Sequence, residues 1–224
     1  MHVLVFDVIE TLLDLRALDP VFDAVLGDRA ARQQWFQQML QSALVATVTG
    51  AYRDFTQLGR AALEMTARRR GVELSPEDQQ RILGTVRQLP PHTEVADGLA
   101  RLRQAGFRMA ALTNSTSEVA EAQLEHAGLR DFFEQALSAD MARRLKPARE
   151  AYHLVAQRLG VQPGDLRMIA AHAWDVTGAM RAGCAAAFVA RPSMVLDPAG
   201  EQPDIVGLDL LEVADAIIAR ECAR

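Results

Sequence analysis

Cysteine is scarce in this chain, aromatic residues make up only 5% of it, and positive charge does not dominate. The two cysteines, Cys184 and Cys222, lie far apart and form no C-x-x-C pattern. Neither a zinc site nor a disulfide framework is therefore indicated, and a reducing cytoplasm fits. A net charge of −5 leaves no general basic field for nucleic acid or an anionic membrane. The one dense basic patch, "ARRR" at 67–70, reads as a solvated helix end, because cations suit a helix C-terminus and Gly71 follows. No apolar run is long enough to span a bilayer. The first, at residues 3 to 6, lacks the basic flank and cleavage site of a secretory leader. Internal repeats and low-complexity tracts are absent as well.

What is present is an ordinary globular composition: 224 residues, 50% hydrophobic and 24% charged, with 14 Gly and 9 Pro. That length fits one compact domain, or one domain carrying an insertion. "HVLVFD" at 2–7 is a short continuous apolar run, the kind that forms a fully buried central strand of a parallel sheet. From about Leu15 to Leu89 apolar residues recur at helical spacing instead, as in Trp35, Met39, Leu40 and Leu44, then Phe55, Leu58, Ala62 and Leu63. One helix start is explicit, with Ser75 as N-cap and Pro76 at the first helical position. Pro90 and Pro91 then break the helices, and "QLPPHTEV" reads as a linker.

Beyond the linker the pattern alternates. Strands are expected in "RMAALTN", "FEQALSA", "LRMIAAH" and "AAAFVA", separated by helices such as "REAYHLVAQRLG" and "DVTGAMRAG", with a last helix in "VADAIIAR". Alternating short strands and amphipathic helices predict an α/β fold, a doubly wound parallel sheet whose ligands bind at the carboxyl ends of its strands. One strand precedes the helical block and the rest follow it. The expected organisation is a core of 1–14 and 92–224 with an inserted helical cap of 15–91.

The polar residues just past the expected strand ends are Asp7 and Thr11, Thr113 and Asn114, Lys146, and His172 with Asp175. In a doubly wound sheet these ends gather at one crevice. A nucleophilic carboxylate needs orientation, a nearby cation and an activated water to release its adduct, and Asp7, Lys146 and Asp175 are those three residue types.

This set resembles the haloacid dehalogenase superfamily, and within it the L-2-haloacid dehalogenases. The resemblance rests on "FDVIETLLD" with Asp7 and Thr11, "LTNST" with Thr113 and Asn114, "LKPAREAYH" with Lys146 and Tyr152, and "AHAWDVTGA" with Asp175. It covers nearly the whole chain and implies the Rossmann-like core of that superfamily. Its phosphatases carry a second acid two residues after the nucleophile, where this chain has Ile9. Phosphoryl transfer also calls for metal or cations around the equatorial oxygens. Attack on a carbon bearing halogen needs neither Mg²⁺ nor an acid for the leaving group, so Ile9 favours carbon–halogen cleavage.

The resemblance implies that Asp7 displaces halide from the carbon α to the substrate carboxylate, with inversion, and forms an ester. Lys146 would keep Asp7 ionised, and Thr11, Thr113 and backbone amides would hold the substrate carboxylate or the Asp7 oxygens. Asp175 would position or deprotonate the hydrolytic water, releasing a D-2-hydroxy acid, and Tyr152 would orient the lysine or the water. No cofactor and no metal are implied. The partners would be a small 2-haloacid and water, with no nucleic acid and no membrane, and a homodimer would be in keeping with the family.

Three positions depart from the best-known members. Ile9-Glu10-Thr11 stands where they read Tyr-Gly-Thr, His172 where they have Asn, and Trp35-Phe36 where they have Trp-Arg, whose arginine binds halide. Asn114 can still donate a hydrogen bond, Phe36 can present a ring edge, and a protonated His172 can restore some charge. A changed halide or acid preference, small fluorinated acids included, or weak activity would follow. Otherwise Trp35 and Trp174 read as core or lid packing, Glu10 as an exposed residue at the start of the turn or at the border of the site, and His2, His92, His126 and His153 as structural or exposed.

Overall fold

The computed structural model describes residues 2–222. In chain order the elements are β1 (Val3–Phe6), α1 (Asp19–Leu26), α2 (Ala31–Thr49), α3 (Phe55–Arg69), α4 (Pro76–Thr85), α5 (Val95–Gln104), β2 (Met109–Thr113), α6 (Ser117–His126), β3 (Gln135–Ser138), α7 (Arg149–Leu159), β4 (Leu166–Ala170), α8 (Ala173–Arg181), β5 (Ala185–Val189), β6 (Ile205–Gly207) and α9 (Leu210–Cys222). The strands form one sheet in the order β3-β2-β1-β4-β5-β6, every neighbouring pair parallel. This is the doubly wound α/β architecture that the alternation predicts.

β1, β2 and β4 are buried along their whole length, which explains why they read as continuous apolar runs. β1 lies in the middle of the sheet, between β2 and β4. Strand order reverses at β1, and the carboxyl ends there open into a crevice.

Everything between β1 and β2 that is regular is helical. The chain leaves and re-enters the sheet region through paired segments: Leu13 bridges Pro91 antiparallel, Asp14 N–H donates to the Pro90 carbonyl, and His92 N–H donates to the Leu12 carbonyl. Ser75 caps α4 as expected, its hydroxyl accepting from the Asp78 N–H at 3.0 Å. Trp35, Phe36, Met39, Leu58 and Leu63 are buried, but Leu44, read as part of the same stripe, is 41% exposed. It belongs to a surface strip on α2 and α3 with Val45, Val48 and Met65.

Two features go beyond what the sequence predicts. The "ARRR" run does close α3, with Gly71 at positive φ, but it is not merely solvated. Arg69 donates to Gln38 at 2.7 Å and Arg70 to Asp28 at 2.8 Å, tying the end of α3 to α2 and its preceding turn. The sheet also has a strand the sequence did not predict, β6. Three residues are too short for a periodicity to register, and only Ile205 and Gly207 point inward. A Cβ at Gly207 would lie 2.9 Å from Glu212 and Val213 of α9, so glycine permits the close approach of strand and helix.

Candidate active site

Four segments that are far apart in sequence meet at the carboxyl edge of the sheet. Asp7 follows β1 directly, and its N–H donates to the Ile169 carbonyl of β4, which fixes the strand end. The turn after it folds back through bonds from Leu12 and Leu13 N–H to the Val8 carbonyl. That turn brings Thr11 under Asp7: the hydroxyl donates to Asp7 Oδ2 at 2.6 Å and accepts from the Ala171 N–H at 2.9 Å. Thr11 therefore orients the carboxylate.

Lys146, in the loop after β3, reaches the centre of the site with 1% of its side chain exposed. Its ammonium donates to Asp7 Oδ1 at 2.8 Å, to Asp175 Oδ2 at 2.6 Å and to the Leu112 carbonyl at 3.0 Å, so all three protons are used. Asp175, in the first turn of α8, has no exposed side-chain surface. Its second oxygen accepts from the Tyr152 hydroxyl at 2.6 Å. The chain Asp7–Lys146–Asp175–Tyr152 is thus fully hydrogen-bonded, the condition under which buried charge is tolerable.

Burial by itself raises the Asp7 pKa, but the Lys146 ammonium and the His172 ring overcome it and hold the carboxyl well below the usual range. Asp7 is accordingly ionised at neutral pH. Burial disfavours the Lys146 charge, and Asp175 with Asp7 outweighs that effect and raises its pKa. Asp175 is pushed up by burial, an effect that Lys146 opposes and the nearby Asp7 charge reinforces. Tyr152 is raised well above its ordinary value by burial and by Asp175, so it remains a neutral donor.

Asn114 and Thr113 face inward but serve the backbone. Asn114 Oδ1 accepts from the Lys146 N–H at 2.7 Å, and its amide donates to the Lys146 carbonyl at 3.3 Å, which fixes the loop that delivers the ammonium. The Thr113 hydroxyl accepts from the Ser115 N–H at 3.1 Å and shapes the turn after β2.

His172 is buried beside Asp7. Its Nδ1 is 3.3 Å from Asp7 Oδ2 and its Nε2 is 2.9 Å from Glu10 Oε2. Burial lowers its pKa, yet the hydrogen bonds to Asp7 and Glu10 prevail and lift it to about 9. The ring is stacked on Trp174 at 5.2 Å and tilted against Phe36 at 6.0 Å. Glu10 is consequently not an exposed turn residue: 15% of its side chain is exposed, and Arg32 of α2 approaches its other oxygen at 3.8 Å. Trp35, by contrast, packs in the core as expected, its N–H donating to the Gly59 carbonyl.

Two cavities flank this group. A cleft of ≈ 450 Å³ is lined by both charged and apolar side chains, among them Glu10, Arg32, Phe36, His172, Trp174 and Arg191. An apolar slot of ≈ 50 Å³ lies between Ile9, Trp35, Phe36, Met39 and Ser115. Among the described residues, no three His, Cys, Asp or Glu side chains are gathered as metal ligands, and the two innermost carboxylates already share the Lys146 ammonium.

Arg191 is the site-region residue that the sequence reading missed. It donates to the Thr11 carbonyl at 2.8 Å and pairs with Glu94, bracing the turn that carries Thr11. It sits just past β5, so the strand-end rule that found the others would have found it too.

Comparison with known proteins shows the family. Residues 1–183 match the family model described as haloacid dehalogenase-like hydrolase. The chain is 30% identical over 201 residues to an (S)-2-haloacid dehalogenase of Pseudomonas sp. (strain YL), covering 89% of this chain and 87% of that one. It is 27% identical to haloacetate dehalogenase H-2 of Moraxella sp. (strain B), over 97% and 96% of the two chains. Among solved structures, the L-2-haloacid dehalogenase from Xanthobacter autotrophicus with chloropropionic acid covalently bound superposes with a TM-score of 0.91 at 26% identity, over 99% of both chains.

Proposed function

The chain belongs to the haloacid dehalogenase-like hydrolases, and from that premise we propose that it hydrolyses short L-2-haloacids to D-2-hydroxy acids through an ester on Asp7, without a metal. The observation that carries the reading is Asp7 itself. It is an ionised carboxylate at the end of the central strand, with one oxygen held by Lys146 at 2.8 Å and the other by Thr11 at 2.6 Å. The buried, apolar Ile9 stands where a phosphatase needs its acid.

In this reading an Asp7 oxygen attacks the carbon that bears halogen. The C–O bond forms, the carbon–halogen bond breaks, and the halide leaves with the electron pair on the opposite face, inverting the centre. Lys146 keeps the nucleophile charged and aimed, and Asp175 with Tyr152 keeps Lys146 in place. Water then attacks the Asp7 acyl carbon, and the hydroxy acid leaves with the original carboxylate oxygen. Segment 15–91 acts as the cap, with Phe36 lining both the larger cleft and the apolar slot where the substrate's alkyl group is accommodated. The exposed apolar strip of Leu44, Val45, Val48 and Met65 supports a homodimer formed through the cap, which light scattering of the purified protein tests directly.

The deciding experiment is halide release from a panel of 2-haloacids with and without EDTA, repeated on Asp7→Asn. Release that resists EDTA and disappears in Asp7→Asn is expected. Release that survives the substitution removes Asp7 as nucleophile. Turnover of p-nitrophenyl phosphate that requires Mg²⁺, with no halide release, moves the chain to the phosphatase branch. Binding of small acids with no turnover marks a binding protein.

A further inference from the structure

The mechanism above leaves Glu10 and His172 without a task, and the structure bonds them to each other. Glu10 has φ 66°, a left-handed backbone conformation shared among described non-glycine residues only by Arg143 and Ser193. Such a conformation disfavours every residue type but glycine, and it persists where the surroundings require it. What this one secures is the reach of the Glu10 carboxylate to His172 Nε2 at 2.9 Å. The opposite ring nitrogen, Nδ1, is 3.3 Å from Asp7 Oδ2. Trp174 and Phe36 pack on the ring and fix its plane. A carboxylate behind an imidazole whose other nitrogen faces the reacting group is the arrangement of an oriented general base.

Access favours the same residue. His172 and Glu10 line the open cleft, so solvent reaches them. Asp175 has no exposed side-chain surface, and each of its oxygens already accepts a hydrogen bond at 2.6 Å. Using it as the base requires water to penetrate the interior.

We propose that His172, held by Glu10, is the base that activates water for cleavage of the Asp7 ester. The proposal rests on Asp7 being the nucleophile and assigns the second half of that reaction.

In the resting protein the ring lies between two anions, Asp7 and Glu10, and holds a proton. The other charged or titratable groups around it are Arg32 beyond Glu10, Lys146 and Asp175 beyond Asp7, and Asp14, Arg16, His92 and Arg191 lining the cleft. Alkylation of Asp7 removes one of the two anions, and the ring releases its proton to the cleft. Neutral His172 then takes a proton from water as the water oxygen bonds to the Asp7 acyl carbon. Collapse of that adduct breaks the acyl carbon–ester oxygen bond, and His172 returns the proton to the departing alkoxide. The acid left on Asp7 gives its proton to His172, restoring the starting pair. One proton is released per turnover, as the hydrolysis of an alkyl halide requires.

The test is rapid-quench kinetics with L-2-chloropropionate on the wild type, His172→Asn and Glu10→Gln, reading halide released and the mass of the Asp7 peptide. Both variants should keep an initial burst of about one halide per chain and then slow. The expected loss in steady-state turnover is on the order of 100-fold for His172→Asn and about tenfold for Glu10→Gln, with ester accumulating on Asp7. Glu10→Gln keeps the ring in place and so separates loss of the oriented base from misfolding. Turnover equal to wild type with no accumulated ester overturns the proposal, and so does loss of the burst itself, which would place His172 in the alkylation step. Wild-type halide release that persists in Asp7→Asn is a different failure, that of the nucleophile on which the proposal rests.

Discussion

The Lys146 ammonium lies 2.8 Å from Asp7 Oδ1 with 1% of its side chain exposed, so the Asp7 charge is balanced inside the protein and not by solvent. The same nitrogen is 2.6 Å from Asp175. Replacing Lys146 by Met strands two buried carboxylates beside each other. Breaking a buried pair in this way costs about 3–5 kcal/mol, because the desolvation of the remaining charge goes uncompensated. Urea denaturation of Lys146→Met should register that loss together with the disappearance of halide release. A destabilisation below about 1 kcal/mol would mean that the carboxylates are solvated in ways this geometry does not allow.

His172 makes stability depend on pH, with a definite sign. Its pKa rises from 6.5 in the unfolded chain to about 9 in the folded one. A group whose folded pKa is raised contributes stability that is fully present below the unfolded value and lost as pH climbs through the folded value. The span corresponds to about 3 kcal/mol. His172→Asn lacks this contribution, so the gap in unfolding free energy between wild type and variant should be largest near pH 6 and close by about that amount toward pH 10. Denaturant titrations across the range check it; a constant gap would show that the ring does not hold its proton in the native protein.

How legible these residues were in the sequence depended on what each one does. β1, β2 and β4 announce themselves because strands covered on both faces must be apolar throughout, and a polar residue next to such a run stands out at once. Asp7 was found that way; Lys146 and Asp175, eight and five residues past β3 and β4, were found as the cation and the second acid in the segments that follow those strands. Glu10 was not, because nothing in "VIETLL" says that position 10 takes a positive φ and turns its carboxylate toward a residue 162 positions away. Thr113 and Asn114 were legible as strand-end residues, but their partners are backbone groups of Ser115 and Lys146, which only the folded chain identifies. β6 escaped for the opposite reason, being too short to carry any pattern.

Gly178 on α8 packs where no side chain fits. A Cβ there would lie 2.5 Å from Pro147 Cβ and 2.6 Å from the Tyr152 hydroxyl. Gly178→Ala must therefore push Tyr152 off Asp175 or move the loop that carries Lys146, at a cost of about 1–3 kcal/mol for the overpacking. Removing the hydroxyl with Tyr152→Phe takes away a hydrogen bond to a buried carboxylate, also worth about 1–3 kcal/mol. Because one substitution relieves part of the clash made by the other, the double variant should be less destabilised than the sum of the two. Strict additivity in a double-mutant cycle would show that Gly178 and Tyr152 do not touch.

At Glu10 the side chain and the backbone make separable demands. Glu10→Gln keeps a side chain in the left-handed conformation while weakening its hold on His172, whereas Glu10→Gly gives up the side chain and relieves the backbone. The left-handed region costs a non-glycine residue roughly 1–2 kcal/mol, and glycine's greater freedom in the unfolded chain offsets about half of that. Glu10→Gly should therefore be more stable than Glu10→Gln by ~0.5–1 kcal/mol, although both turn over more slowly than the wild type. Equilibrium unfolding of the two variants side by side measures the difference. If Gln proves the more stable, its amide still bonds to His172 strongly enough to outweigh the strain, and the restraint on the ring is a hydrogen bond more than a charge.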